Sequence, residues 1–154
     1  MTSLASEVLS ALAGKTLATA ESCTGGMIGE MLTAVSGSSA VYKGGIVSYW
    51  SEIKHSLLGV EEELLRKYGA VSAPVAEAMA KGARKALESD VAVSVTGLAG
   101  PGGDEFGNPV GTVFIGYTDV ERTTVQEYHF LGDREAVRRQ AAVAALETVL
   151  KNCK

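Results

Sequence analysis

The chain has 154 residues and a formal net charge of −4, with 46% hydrophobic and 21% charged residues. This is a typical globular composition, and the length predicts a single domain over residues 1–154 with a sizeable core. The acidic balance, with no run of Lys or Arg, argues against a nucleic-acid partner. No stretch approaches the roughly 20 apolar residues of a membrane span, and the first residues do not resemble a signal peptide. We therefore expect a cytoplasmic protein with no membrane association.

The cysteines and histidines give no sign of a metal centre or a disulfide framework. Cys23 and Cys153 lie far apart and form no CxxC pair, which fits a reducing compartment. His55 and His129 are the only histidines, and neither belongs to a zinc-binding motif. The sequence therefore predicts no metal and no organic cofactor.

Hydrophobic periodicity and helix-capping residues divide the chain into alternating helices and strands. Helices are predicted over residues 2–13, 24–35, 51 onward, 61–68, 72–89 and 133–151. Strands are predicted over residues 16–20, 41–50, 90–96, 110–118 and 122–130, the second with a bend at its glycines.

This alternation predicts an α/β fold, a three-layer α/β/α sandwich with a mixed, mostly parallel sheet of about five strands. The strands at 110–118 and 122–130 are too close for a crossover helix and must form an antiparallel hairpin. Ligands in such sheets bind beyond the carboxyl ends of the strands, so the turns after Ala20 and Thr96 should meet at one cleft.

The first of these turns joins a strand to a helix through Glu21-Ser22-Cys23-Thr24-Gly25-Gly26. It places the Ser22 hydroxyl beside helix-start N–H groups, which suits nucleophilic attack on an acyl carbon or the binding of an anion. The simpler alternative is that these small polar residues only cap the helix. Cys23 is a second possible nucleophile, but no His or Asn is paired with it in the sequence.

The second turn is the glycine-rich loop from Gly97 to Pro109. Its backbone has few side chains in the way, which allows close approach of a phosphate or a planar ring. It is not a P-loop, because no Gly-Lys-Ser/Thr sequence follows. An ordinary surface loop is the alternative.

Candidates for activating Ser22 lie across a strand-to-helix corner, at Tyr49 and Lys54. A lysine in a dry cleft can lose its proton near neutral pH and act as a base, whereas most lysines lie on the surface. His55 is the alternative base, although a structural role suits it better. Arg134 and Arg138 lie four residues apart on one helix face and can clamp a phosphate, unless they are only solvated surface charges.

Several motifs recur in order along nearly the whole chain, from about residue 5 to 150. They are Ala20–Gly26, Gly44–Tyr49, Lys54 with Leu57–Val60, Gly69–Ser72, Thr96–Gly103, Pro109–Val113 and Gly132–Arg134. Together they resemble the CinA C-terminal domain family, whose enzymatic members are nicotinamide-nucleotide amidases (PncC).

The resemblance implies a hydrolase that deamidates nicotinamide mononucleotide to nicotinate mononucleotide and ammonia, within pyridine nucleotide recycling. It also implies the three-layer fold and self-association as a dimer or larger homo-oligomer. By position, the family's catalytic residues fall on Ser22, Lys54, Tyr49 and Thr96, and its arginine on Arg134 or Arg138. The expected substrate-binding residues are Thr24, Gly25, Gly26, Gly45, Gly97, Gly100, Gly102, Gly103, Arg134 and Arg138. Trp50 departs from the family pattern and either reshapes the pocket or packs outward.

The expected mechanism is that Lys54, oriented by Tyr49, takes the proton of Ser22, and that N–H groups from Thr24 to Gly26 stabilise the oxyanion. Thr96 positions the base or the substrate. Two alternatives stay open: a non-catalytic module of the same fold that binds a nucleotide or a protein, and an amidase for another small amide.

Overall fold

A computed structural model describes residues 3–153 and contains, within that range, one five-stranded sheet and six α-helices. The strands are β1 (Leu17–Glu21), β2 (Tyr42–Val47), β3 (Val91–Gly97), β4 (Thr112–Thr118) and β5 (Thr123–His129). The helices are α1 (Leu4–Ala11), α2 (Met27–Thr33), α3 (Ser51–Leu58), α4 (Glu62–Tyr68), α5 (Ala73–Leu87) and α6 (Arg134–Asn152).

The sheet is mixed, with the strand order β2-β1-β3-β4-β5. β1 pairs in parallel with β2 and β3, while β4 is antiparallel to both β3 and β5. Four strands therefore run in one direction and only β4 runs against them, and the predicted hairpin is β4–β5. The register between β1 and β2 shifts at Leu17 and Ala18, next to the glycines where a bend was predicted.

Helices cover both faces of the sheet, which gives the predicted three layers. Helices α1, α2 and α6 pack on one face around Leu17, Val93 and Ile115. The opposite face carries α3 and α5, with Ala18, Ala20 and Ala92 of the sheet packed against Met79 and its neighbours. Val8 of α1 and Leu12 just after it are buried in the first of these cores, so this helix face belongs to the interior.

Sequence and structure differ mainly at the ends of helices. The helix predicted from residue 24 begins only at Met27, because residues 22–26 form the turn that links β1 to α2. Ser72 stands at the start of α5 as predicted, but its hydroxyl donates to the Gly69 carbonyl instead of capping the helix. A short 3-10 helix over Ser38–Ala40 lies in a segment predicted as loop.

A substitution at Gly82 of α5 tests how closely α5 packs on α3. A Cβ atom there would overlap the carbonyl of Leu58 in α3. Gly82→Ala should lower the free energy of unfolding by about 1–3 kcal/mol, although alanine favours a helix by about 1 kcal/mol. Urea denaturation measures the change. The exposed neighbour Lys81→Ala is the control and should stay within about 0.5 kcal/mol of the parent protein. An equally stable Gly82→Ala protein would contradict the close packing of α3 on α5.

Candidate active site

The end of β1 sends two polar side chains to opposite faces of the sheet. Side chains alternate along a strand, so Glu21 points with Leu17 and Thr19 toward α2, and Ser22 follows Ala18 and Ala20 toward α3. The backbone N–H of Ser22 donates to Val95 of β3 at 3.0 Å, which fixes its position beside the neighbouring strand.

The buried carboxylate of Glu21 occupies the N-terminus of α2. Its Oε1 accepts from the Thr24 hydroxyl at 2.6 Å and from the N–H groups of Gly26 and Ile28 at 3.1 and 3.0 Å. Its Oε2 accepts from the Gly29 N–H at 3.1 Å. The helix start was expected to hold an external anion or an oxyanion, but this side chain already accepts from the N–H groups of Gly26, Ile28 and Gly29.

Arg138 of α6 holds the same turn through its carbonyl groups. Its guanidinium donates to the carbonyl oxygens of Cys23 and Thr24 at 2.9 and 3.3 Å. Within the turn, the Gly25 N–H donates to the Ser22 carbonyl at 3.1 Å. The turn from Ser22 to Gly26 is therefore fixed by a carboxylate at its N–H groups and a guanidinium at its carbonyls.

The N–H of Cys23 stays free in this arrangement. The Ser22 carbonyl is turned inward to Gly25, and the C=O and N–H of a trans peptide point in opposite directions, so the Cys23 N–H points out of the turn. Within residues 3–153 no other residue accepts a hydrogen bond from it, and its own thiol lies within its reach. Cys23 also lines the cavity over Ser22.

Lys54 is buried beside Ser22, with 1% of its surface exposed. It lies one helical turn before the buried Leu58, so the face of α3 that packs into the core with α5 carries the lysine inward. Its Nζ lies 2.9 Å from the Ser22 Oγ, 2.7 Å from the Ser48 carbonyl oxygen and 3.5 Å from that of Tyr49. Burial lowers the pKa of Lys54 to about 8, because no carboxylate offsets the lost hydration.

A cavity of about 330 Å³ opens over this pair at the carboxyl ends of β1 and β3. The two turns predicted to converge both contribute to it. It brings together all four residues expected to be catalytic and some of those expected to bind substrate, namely Ser22, Lys54, Tyr49, Thr96, Gly97, Gly100, Gly102 and Arg134.

The remaining expected substrate-binding residues lie outside this cavity. Thr24 and Gly26 are hydrogen-bonded to Glu21, Gly25 contacts Arg138, and Arg138 supports the turn. Gly45 lies in β2 against Thr19, where a Cβ would overlap the threonine hydroxyl, and Gly103 faces the Asn108 carbonyl.

Tyr49 and Arg134 form one rim of the cavity. Arg134 donates to the Gly100 carbonyl at 2.7 Å and to the Tyr49 hydroxyl at 3.1 Å. The Tyr49 hydroxyl was expected to orient Lys54. Instead it contacts Arg134, and Lys54 meets carbonyl oxygens of the chain, mainly that of Ser48.

Another part of the cavity wall is built by Thr96 and the segment before α5. The Thr96 hydroxyl donates to the Ala70 carbonyl at 2.7 Å, and Ala70 and Val71 line the cavity. The sequence did not predict the roles of Ser48, Ala70 and Val71, because all three act through main-chain carbonyls that no residue type reveals. The role of Glu21 was also not predicted. A carboxylate at the end of a buried strand could have indicated it, because glutamate is rarely buried without partners.

Three other side chains considered from the sequence take no part in the contact between Ser22 and Lys54. Burial raises the pKa of the Cys23 thiol to about 11. His55 bonds the Val60 carbonyl at 2.8 Å and lies 3.2 Å from Glu62, outside the cavity. Trp50 is 69% exposed. Of the two expectations for it, reshaping the pocket or facing outward, the structure shows the outward position.

Two features are absent from residues 3–153. Within that range, no cluster of three or more His, Cys, Asp or Glu side chains is arranged to hold a metal ion. None of the helices there has the length and apolar character needed to cross a membrane.

The fold and the site define a class of α/β protein in which a buried lysine bonds a serine hydroxyl at the sheet's carboxyl edge. The chain matches the family model of the CinA C-terminal domain over residues 1–153, and it belongs to that family.

Relatives of known sequence support this membership. A CinA-like protein from Thermotoga neapolitana is 48% identical over 140 residues, which cover 91% of this chain and 34% of that protein. A nicotinamide-nucleotide amidohydrolase PncC from Enterobacter agglomerans is 50% identical over 133 residues, or 86% of this chain and 81% of that protein. The chain spans about a third of the length of this Thermotoga neapolitana protein and of CinA-like proteins from Geobacter sulfurreducens and Acidobacterium capsulatum.

Solved structures share the fold. A competence-damaged protein (CinA) superfamily member from Klebsiella pneumoniae superposes with a TM-score of 0.95 at 36% identity, covering 97% of this chain and 95% of that one. A competence/damage inducible protein from Agrobacterium tumefaciens gives a TM-score of 0.94 at 37% identity, covering 98% and 94%.

The Glu21 carboxylate should be essential for stability. Glu21→Ala leaves the N–H groups of Gly26, Ile28 and Gly29 without their acceptor and should lower the free energy of unfolding by more than about 3 kcal/mol. The control is Glu147→Ala on the exposed face of α6, which should cost no more than about 0.5 kcal/mol. Equal costs in urea denaturation would show that the carboxylate does not organise the turn.

Lys54 should make stability depend on pH. Its pKa is about 8 in the folded protein and 10.5 ordinarily, so between these values the unfolded chain binds more protons. Relative to Lys54→Met, the free energy of unfolding should therefore rise by up to roughly 3 kcal/mol from pH 8 to 10.5 and change little below pH 8. Denaturation curves across this range provide the measurement. Parallel pH profiles for the two proteins would show that Lys54 titrates normally.

Proposed function

We propose that this protein hydrolyses the carboxamide of nicotinamide mononucleotide, releasing nicotinate mononucleotide and ammonia. The observation that carries the proposal is the 2.9 Å contact between the Lys54 Nζ and the Ser22 Oγ, inside a buried cleft that lowers the pKa of the lysine to about 8. The name of the Enterobacter agglomerans relative supports the choice of substrate.

The surroundings of Lys54 suit a base. A neutral amine has two N–H donors and one lone pair. The carbonyls of Ser48 and Tyr49 can only accept hydrogen bonds, so they take the two donors. The lone pair is then left for the Ser22 hydroxyl, whose proton it can remove. Ser22 is the better nucleophile of the two candidates, because burial keeps the neighbouring Cys23 thiol protonated.

The reaction proceeds in two balanced steps. In the first, Lys54 takes the Ser22 proton while Oγ bonds the amide carbon, and the proton passes to the amide nitrogen as the C–N bond breaks and ammonia leaves. In the second, Lys54 takes a proton from water, the hydroxide attacks the acyl-enzyme, and the proton returns to the Ser22 Oγ as the acid leaves.

The oxyanion of each tetrahedral intermediate needs a donor. The turn N–H groups of Gly25 and Gly26 are already bonded within the protein. We assign the role to the free N–H of Cys23, which lies directly after the nucleophile at the cavity wall. A single donor of this kind contributes on the order of 3 kcal/mol.

The two arginines take different roles in the proposal. Arg134 lines the cavity and uses two of its five N–H donors on Gly100 and Tyr49, which leaves three for a phosphate. Arg138 positions the serine turn. Binding of the distant phosphate would orient the amide over Ser22. Self-association, a cytoplasmic location and the absence of a nucleic-acid partner belong to the same proposal.

Ammonia release tests the function. The purified protein should release ammonia from nicotinamide mononucleotide without added metal, whereas Ser22→Ala and Lys54→Met should lose at least about a hundredfold in kcat/KM. The matched control is Cys23→Ala, which keeps the N–H and should stay active.

Because only neutral Lys54 is a base, kcat/KM should rise about tenfold from pH 7 to a plateau above pH 8.

Three outcomes contradict the proposal in different ways. Full activity of Ser22→Ala would exclude the serine mechanism. Binding of the nucleotide by a folded but inactive wild type would favour a non-catalytic module. Equal turnover of the nucleoside and the mononucleotide would indicate an amidase for another small amide, since the proposed enzyme should prefer the phosphate strongly.

A further inference from the structure

We infer that the Thr96 hydroxyl is a fixed hydrogen-bond acceptor that recognises the NH₂ of the carboxamide and disfavours the carboxylate of the product. This inference rests on the proposed function and adds a specificity-determining residue to it. The observations behind it are the donor bond of the hydroxyl, the anchoring of its acceptor and its position next to Ser22.

The direction of the Thr96 hydrogen bond is fixed by chemistry. A hydroxyl has one proton, and here it lies 2.7 Å from the Ala70 carbonyl oxygen, which can only accept. The proton of Thr96 is therefore committed to Ala70. What remains for a ligand is the pair of oxygen lone pairs, which accept an N–H and repel a carboxylate oxygen.

The Ala70 carbonyl is held in place by its neighbours. The Ser72 hydroxyl donates to the Gly69 carbonyl at 2.9 Å, and the Asn108 side chain donates to the Val71 carbonyl at 3.1 Å. Asn108 is itself bonded to Asp104 at 2.8 Å. The segment on both sides of Ala70 is thus anchored, so Thr96 has a fixed partner before any substrate arrives.

Thr96 lies where the reacting amide must sit. The N–H of Ser22 bonds Val95, which precedes Thr96, and both side chains point to the α3–α5 face of the sheet. Both residues line the cavity together with Lys54. An amide carbon over the Ser22 Oγ can direct one N–H to Thr96, which leaves the nitrogen to receive the proton from Lys54.

The experiment compares binding of amide and acid. In the Ser22→Ala protein, where no turnover interferes, calorimetry gives Kd for nicotinamide mononucleotide and for nicotinate mononucleotide. The amide should bind more tightly. Thr96→Val keeps the shape but removes the hydroxyl, and it should reduce the ratio Kd(acid)/Kd(amide) about tenfold. Thr96→Ser should keep most of the ratio.

Thr148→Val is the matched control, because its buried hydroxyl likewise donates to a carbonyl, that of Ala144, but lies in α6 away from the cavity. It should leave the ratio unchanged, and thermal unfolding of all variants checks their folding. With Ser22 present, Thr96→Val should also increase inhibition by the product relative to KM for the amide.

Two negative results can be told apart. If the wild type releases ammonia but Thr96→Val leaves the ratio unchanged, Thr96 does not discriminate and only this inference fails. If the wild type neither binds nor turns over either nucleotide, the proposed function fails and the inference fails with it.

Discussion

Side-chain alternation at the end of β1 is the constraint on which the site depends. It directs Glu21 to the face covered by α2 and Ser22 to the face covered by α3, so one short turn holds both a helix anchor and a hydroxyl at the cavity. A shift of one residue would exchange the two, burying the serine under α2 and placing a carboxylate beside Lys54. That carboxylate would raise the pKa of the lysine and remove its value as a base.

Two buried charged groups illustrate how partners decide the state of a side chain. Glu21 has no basic side chain bonded to it, but four donors from the start of α2 replace its lost hydration. Lys54 is equally buried and meets two carbonyls and a hydroxyl, which stabilise its charge much less than a carboxylate would. The Glu21 carboxylate therefore has a full set of donors around it, whereas the lysine is driven toward its neutral, reactive form.

The sequence predicted the three layers, the antiparallel hairpin and the meeting of two glycine-rich turns, because periodicity and loop length determine these features directly. It did not predict the groups that hold the site together. Ser48 and Ala70 act through main-chain carbonyls, and Arg138 reaches the serine turn from a helix more than a hundred residues away in sequence. Such contacts depend on packing between elements, which residue type does not encode. The burial of Lys54 was only partly predictable. The sequence shows its spacing from Leu58 but does not show which face of α3 packs inward.

The walls of the cavity differ in what they can offer a ligand. The rim formed by Arg134 presents unused N–H donors, so it attracts negative charge. The wall formed by Thr96 presents only lone pairs, so it repels negative charge and accepts N–H. A molecule with an anion at one end and a primary amide at the other satisfies both walls in a single orientation. The reverse orientation would set the anion against Thr96 and leave the unused donors of the arginine without an anion. In the proposed function, the polarity that would bind such a molecule would therefore also align its amide with Ser22.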